Sequence, residues 1–459
     1  MKKYMMIMLA TMMVSSGFAK DDYKAKMDAF VSNLLGKMTV DEKIGQLNLT
    51  ICSEFVSGQI NDNSTTVRDN LKKGALGGLF GFKDAKQIKE LQKMAVENSR
   101  LHIPLIFGYD VVHGYDVTFP IPLALSSSWN PNIVETMARI SAKEAASDGV
   151  CWTYAPMVDI CHDARWGRIA EGAGEDPYLG SVMAKAYIHG FQGDNDLSKN
   201  TNIMACVKHF ALYGASEAGR DYNTVDMSRQ RAFNEYMMPY KAACDAGAGS
   251  FMASFNEFEG IPAHCNDYLM NDVLRKQWGF DGFITTDYTG IMETTQHGIG
   301  NEQTATARAL KAGIDMDMMS EYYIKYLKQA LADGSVSEDD LNTACRRILE
   351  AKYKLGLFED PYKYCDPKRA AKILGADEHV HQARKIAQEC QVLLKNDNNL
   401  LPLKKDSKIA VIGPMANNSW DMLGSWSGSS QKVKAVSLYE GLKEAMGNQG
   451  SISWAEGSW

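Results

Sequence analysis

Three apolar runs end on residues that can do chemistry. Phe283-Ile284-Thr285-Thr286-Asp287-Tyr288 ends on a carboxylate. A carboxylate there can attack an electrophilic carbon, although a lone aspartate also serves as a helix N-cap. Cys206-Val207-Lys208-His209-Phe210 ends on a basic pair. Lys208 suits an array of hydroxyls, a Schiff base or a plain ion pair, and His209 by itself reads as a core histidine. Phe107-Gly108-Tyr109-Asp110 ends on a carboxylate able to accept two hydroxyl hydrogen bonds. Asp159, Asp163, Arg165, Trp166, Gly167, Arg168 and Glu171 crowd a fourth segment. Alone, that pattern describes a salt-bridged surface loop. Asp315 and Asp317, with Ser320 and Glu321, fit caps as well as a site.

Together these residues describe a sugar site. Each sugar hydroxyl both donates and accepts, carboxylates and cations hold such hydroxyls in place, and aromatic faces cover the apolar side of the ring. Trp129, Trp152, Trp166 and Tyr288 are the candidate platforms, with core packing as the alternative for most of them. No phosphate loop, dinucleotide glycine fingerprint, HExxH or GxSxG stands in its required context.

The elements that must position them alternate. Strands are expected over Leu76–Phe82, Ile103–Phe107, Thr153–Ile160, Ile203–Lys208, Ser250–Phe255, Phe283–Asp287 and Ile314–Met319. Helical patterns fall over Ala85–Asn98, Ile133–Ser147, Leu179–Phe191, Arg229–Asp245, Tyr268–Trp278, Gln303–Lys311 and Ser337–Gly356. This alternation predicts parallel βαβ units and an α/β fold, a (β/α)8-type TIM barrel with one strand missing or irregular. Phe358–His379, with prolines at 361 and 367, reads as a helix-poor linker. A helix over His381–Leu394, a strand over Ile409–Gly413, a helix over Ser437–Met446 and a strand over Ser451–Trp454 open a second α/β domain.

Lys2 and Lys3, the apolar run Tyr4–Val14 and the small residues ending at Ala19 form a secretory leader, cleaved after Ala19. The expected product is exported to the periplasm, with no membrane span after cleavage. The 459 residues carry 49 Lys+Arg against 56 Asp+Glu, a net charge of −7, which excludes a generic nucleic-acid binder. Nine cysteines, without a CxxC or zinc spacing, read as small buried hydrophobes.

In order along the chain, Gly108-Tyr109-Asp110-Val111-Val112-His113-Gly114, Asp163-Ala164-Arg165-Trp166-Gly167-Arg168, Gly174-Glu175-Asp176-Pro177, Lys208-His209-Phe210, Tyr222-Asn223-Thr224-Val225-Asp226, Trp278-Gly279-Phe280 and Thr285-Thr286-Asp287 resemble the motifs of the family 3 glycoside hydrolases. The periplasmic β-glucosidases of that family are the most similar. The resemblance covers essentially the whole mature chain and implies four segments: a signal peptide over 1–19, a family 3 N-terminal TIM barrel over 20–358, a linker over 359–395, and the incomplete start of a C-terminal α/β sandwich over 396–459. It further implies a retaining, exo-acting β-glucosidase acting on a small carbohydrate, with no cofactor and no metal. Asp287 falls on the nucleophile. Asp110, Arg168, Lys208 and His209 fall on residues that hold the non-reducing-end sugar, and a Lys-His-Arg set near Asp287 would keep it ionised. Three positions depart from the family pattern, the first being Thr286, which stands for the usual Ser before the nucleophile. Tyr288 stands for the usual Trp or His and still offers a stacking face. Phe255 stands where many members carry a tyrosine that contacts the nucleophile.

The family's general acid/base is a glutamate of the second domain. The chain ends soon after that domain begins, and Glu456 does not match the motif position. The expectation is a fragment without its catalytic acid, weak or inactive because general acid catalysis contributes about 10²–10⁴-fold. A β-xylosidase or another β-glycosidase of the family, a non-catalytic sugar-binding protein and a Schiff-base lyase on Lys208 are the rival readings. An N-acetylglucosaminidase is disfavoured, because Ala211–Arg220 lacks the histidine that those enzymes use.

Overall fold

The structure is a computed structural model that describes residues 22–52, 64–428 and 435–457. The leader read over residues 1–19 lies outside the described residues. The chain divides into two units. One comprises Met1–Phe80, Glu90–Ile106 and His264–Tyr362; the other comprises Gly81–Lys89, Phe107–Ala263 and Lys363–Trp459.

In the first unit, β1 (Asn48–Thr50) pairs in parallel with β2 (Gly78–Phe80), Leu49 opposite Gly78. β3 (Ile106–Tyr109) straddles the two units. The second unit adds β4 (Trp152–Thr153), β5 (Met204–Phe210) and β6 (Ser250–Ala253). Gly108 pairs with Trp152, Trp152 with Met204, and Cys206 with Ser250, all in parallel. Back in the first unit, β7 (Phe283–Thr285) meets β8 (Asp317–Met318) through a parallel Thr285–Met316 bridge, and Asn48 of β1 pairs with Asp317. The eight strands form one sheet in the order β8-β1-β2-β3-β4-β5-β6-β7, the order of a (β/α)8 barrel.

β1 is the strand absent from the seven expected. It has only three residues, all buried, and comes at once after a helix over Val40–Gln46. All seven residues of β5 are buried, and its first four, Met204–Val207, read as an apolar run rather than an alternating pattern. The strand expected over Thr153–Ile160 stops at Thr153. Pro156 has no N–H to give to a ladder, and past it a single Met157–Lys208 bridge continues the pairing.

Capping side chains set the helix starts. α1 covers Ala85–Asn98, as expected. α2 (Pro131–Ser147) and α3 (Pro177–Gln192) begin with proline at the first position behind an accepting Asn130 or Asp176. α4 (Glu338–Lys354) starts from a capping box between Ser337 and Asp340. The single helix expected over Arg229–Asp245 is broken into Arg229–Arg231, a π-turn over Ala232–Tyr236, and Met238–Asp245.

The segment read as a helix-poor linker contains a helix over Pro367–Ile373. Asp366 caps it by accepting from the N–H groups of Lys368 and Arg369, so Pro367 starts a helix there instead of breaking one. Farther on, α5 (Leu438–Met446) connects two parallel strands, β9 (Lys408–Ile412) and β10 (Ser451–Ala455), with Lys408 opposite Ser451. That is the βαβ start of a second α/β domain. Eight of the nine cysteines are buried and Cys244 is half-buried. Among the described residues, no helix is long and apolar enough to cross a membrane.

Candidate active site

Four of the expected sugar-holding residues come together in the second unit. Asp110 follows the last residue of β3, and Lys208 and His209 lie near the end of β5. The Lys208 ammonium, 3% exposed, donates to Asp110 Oδ1 at 3.2 Å. Burying an ammonium is tolerable only with such a partner. Arg168, on a short 3-10 turn over Gly167–Glu171, forks onto Glu171 with Nε–Oε1 at 2.7 Å and Nη2–Oε2 at 3.1 Å. Burial pushes Glu171 upward, but Arg168 and Lys208 bring it below the usual carboxylate range. In the crowded segment, then, Asp163–Arg165 is an exposed surface pair while Arg168–Glu171 faces inward.

His209 is 1% exposed, with both ring nitrogens engaged. Arg168 Nη2 approaches Nε2 at 3.1 Å, and an arginine can only donate, so Nε2 accepts. Nδ1–H therefore donates to Asp159 Oδ2, 3.0 Å away, beside the His209 backbone N–H at 2.9 Å. Burial, with Arg168 and Lys208 nearby, holds the ring neutral by driving its pKa well below the ordinary value. His209 thus braces Arg168. Asp159 also faces the Tyr240 hydroxyl at 2.5 Å, which lies 2.6 Å from the His209 carbonyl. Burial raises Asp159 to about 6.

Two residues of this network carry little sequence signal. Tyr240 sits on a helix and reads as core. Trp426, 45% exposed, lies with its ring centroid 5.2 Å from Lys208 Nζ. It is separated from Lys208 by more than 200 residues of sequence, and only folding brings the two together. Of the expected platforms, Trp152 and Trp166 are core residues with no exposed surface, their indole N–H groups donating to Ser250 and Asp221. Trp129 is exposed. Phe255, 9% exposed, packs in a cluster with Met157, Cys161, Trp166 and Tyr213.

Asp287 and Tyr288 lie in the first unit, just past the end of β7. Asp287 is half-buried, and its Oδ1 accepts the Tyr288 N–H at 2.7 Å. The Asp287 N–H donates to His264 Nε2 at 3.1 Å, which requires the neutral ring. Burial, together with His297, lowers His264 to about 3. Thr286 Oγ1 accepts the Met318 N–H at 2.8 Å and ties this end of β7 to β8. Tyr288 is exposed and meets Phe80 edge-on at 6.4 Å.

Gly290 lies against the same histidine. A Cβ there would fall 2.2 Å from His264 Nε2. Gly290→Ala therefore displaces the ring that fixes the Asp287 backbone. If Asp287 is the nucleophile, as the sequence resemblance implies, its covalent labelling by an activated glycoside slows by up to roughly 100-fold, the scale of an ångström-sized misplacement, as read by mass spectrometry against time. Labelling at the wild-type rate would show that His264 does not govern Asp287.

The profile of the glycosyl hydrolase family 3 N-terminal domain matches residues 39–351, and that of the family's C-terminal domain matches residues 391–457. The chain is 45% identical over 435 residues to a periplasmic beta-glucosidase of Salmonella typhimurium, which covers 94% of this chain and 56% of that protein. It is 36% identical to a beta-xylosidase of Formosa agariphila over 81% of this chain and 55% of the relative. A crystal structure of beta-glucosidase from Listeria innocua in complex with glucose superimposes with a TM-score of 0.87 at 38% identity, covering 93% of this chain and 60% of that one. The chain spans a little over half the length of these relatives. With both profiles matched and the barrel order in place, the chain belongs to glycosyl hydrolase family 3.

Proposed function

We propose that the chain works as a retaining, exo-acting β-glucosidase on terminal non-reducing β-D-glucosyl residues. Asp110, Lys208 and Arg168 hold the sugar hydroxyls, with His209 bracing Arg168. Trp426 and Tyr288 offer ring faces, Phe255 backs the pocket wall, and Asp287 is the nucleophile. The observation that carries the reading is the set Asp110–Lys208 and Arg168–Glu171, two part-buried ion pairs with the Trp426 indole beside Lys208. Paired charges beside an aromatic face suit a polyol ring. The Salmonella typhimurium relative and the glucose-bound Listeria innocua structure support glucose as the sugar.

In this reading the Asp287 carboxylate attacks the anomeric carbon as the aglycone leaves, and water then releases glucose from the glycosyl ester. Export through the leader at 1–19 to the periplasm belongs to the same proposal, supported by the name of the Salmonella typhimurium relative. The test is incubation with 2,4-dinitrophenyl 2-deoxy-2-fluoro-β-glucoside. Dinitrophenolate leaves without protonation, so the label reports the nucleophile alone. A fluoroglucosyl adduct on Asp287 supports the reading, and an adduct elsewhere, or none, refutes it. The Formosa agariphila beta-xylosidase makes xylose the second candidate sugar; faster labelling by the matching xyloside would favour it.

A further inference from the structure

Beyond the residues expected to touch sugar, His113 stands out by its place in the second unit. It lies on the loop after β3, 1% exposed, between two carbonyl oxygens. Nδ1 is 2.8 Å from the Phe119 oxygen, and Nε2 is 2.6 Å from the Ser425 oxygen. A carbonyl only accepts, so each bond requires the ring nitrogen to donate, and the two together require the doubly protonated ring. The first bond stays within the loop. The second reaches across more than 300 residues of sequence to the residue before Trp426.

The loop is a firm base. Glu144 Oε2 accepts the N–H groups of Asp116 and Val117 at 2.9 Å each, and the Tyr115 hydroxyl donates to Asp148 Oδ2 at 2.7 Å. The segment above it is pressed close. A Cβ on Gly428 would fall 2.2 Å from the Tyr115 backbone carbonyl oxygen, and one on Gly424 would fall 3.2 Å from Ile121 Cγ2. Between these two glycines Trp426 sits at φ 56°, in the left-handed region that a bulky side chain rarely enters. A turn in that conformation needs outside contacts to persist. The hydrogen bond from His113 meets it one residue away.

We propose that His113 is a positioning residue. By donating to the Ser425 carbonyl it fixes the Gly424–Gly428 turn and sets the Trp426 ring beside Lys208, and so controls affinity for the sugar. The affinity clause rests on the glucosidase reading; the seating of Trp426 does not.

Two substitutions separate the two bonds. In His113→Asn the amide replaces Nδ1 and keeps the bond to Phe119, losing the one to Ser425. In His113→Gln the amide replaces Nε2 and keeps the bond to Ser425. Two readouts apply to the whole chain: oxidative footprinting of Trp426 by mass spectrometry, and binding of isofagomine, a glucose mimic, by calorimetry. The expected result is faster Trp426 oxidation and roughly tenfold weaker isofagomine binding in His113→Asn, the loss of about one hydrogen bond's net effect. His113→Gln should match the wild type in both. In a Trp426→Ala background, His113→Asn should weaken binding no further, because its effect runs through the missing ring.

The proposal is overturned if His113→Asn leaves oxidation unchanged, if His113→Gln behaves like His113→Asn, or if His113→Asn costs as much affinity without Trp426 as with it. A His113→Asn chain that fails to fold, judged by circular dichroism, also overturns it, since the ring would then support the loop as a whole. If the wild type binds no isofagomine while His113→Asn still speeds Trp426 oxidation, the glucosidase reading fails and the positioning role stands.

Discussion

Asp287→Gly loses turnover of 2,4-dinitrophenyl β-glucoside by on the order of 10⁴-fold, the scale of removing a nucleophile, and regains part of it in azide. The adduct identifies the role. Azide that fills the space of the missing carboxylate attacks the anomeric carbon from the side opposite the aglycone. One C–N bond forms, one C–O bond breaks, dinitrophenolate leaves with the electron pair, and the product is α-glucosyl azide. A residue acting as acid/base would yield the β anomer instead, since azide would then react with a covalent intermediate. Asp287 lies at a loop start, half-buried, and the ladder contacts next to it come from Thr286, so truncating its side chain spares the fold. The rate measurement and NMR of the azide product decide the matter: α-azide supports the assignment of Asp287, and β-azide or an undiminished rate rejects it.

The second large effect concerns stability and pH. The Tyr240 hydroxyl lies between Asp159 Oδ1 at 2.5 Å and the His209 carbonyl at 2.6 Å. It has one proton, and two short oxygen contacts need two. A proton on Asp159 completes the chain, carboxyl to phenol to carbonyl, in keeping with a carboxyl raised by burial to about 6. Unfolded, Asp159 titrates near its ordinary 3.8. Between those values the folded state binds more protons than the unfolded one. The contribution is complete below about pH 4 and is lost as pH rises through about 6, a span of about two pK units or roughly 3 kcal/mol.

Asparagine at 159 reproduces the protonated pattern, since its amide donates to Tyr240 and its oxygen accepts from His209, but it does not titrate. The wild type should therefore lose stability relative to Asp159→Asn as pH rises from 4 to 6, and hold a constant difference above 7. Neutral His264 acts in the opposite sense, destabilising both chains alike as pH falls below the ordinary histidine value, and it cancels in the comparison. Urea midpoints of the two chains at several pH values measure the difference, and a flat difference between pH 4 and 6 would show that Asp159 carries no such proton.

How far each element is legible in the sequence depends on its physics. Asp287, Asp110 and Lys208 are readable because the core of a parallel strand buried on both faces is an apolar run, and the first charged residue after it marks the functional end. β1 is not, since three residues directly after a helix give no run to see. The π-turn at Ala232–Tyr236 leaves the helical apolar pattern intact while breaking the hydrogen-bond ladder. Trp426, Tyr240 and the Asp159–His209 bond depend on contacts far apart in sequence, to which no local spacing points. Trp152 and Trp166 belong to the core and not to the sugar platforms, a distinction that composition cannot draw. Both side chains are wholly buried with the indole N–H bonded to another side chain, and that settles it.

The pairing of Lys208 with Asp110 and of Arg168 with Glu171 has one more consequence. Each cation is matched by an anion of its own, and with His209 neutral the cluster holds no surplus positive charge with which to recruit an acid. On the glucosidase reading, a uronic acid gains no counter-ion here and loses its hydration on entry. Discrimination then falls to the stereochemistry of uncharged hydroxyls, so galactosides and mannosides, epimers at a single carbon, are the competitors that this pocket is built to tell apart from glucosides.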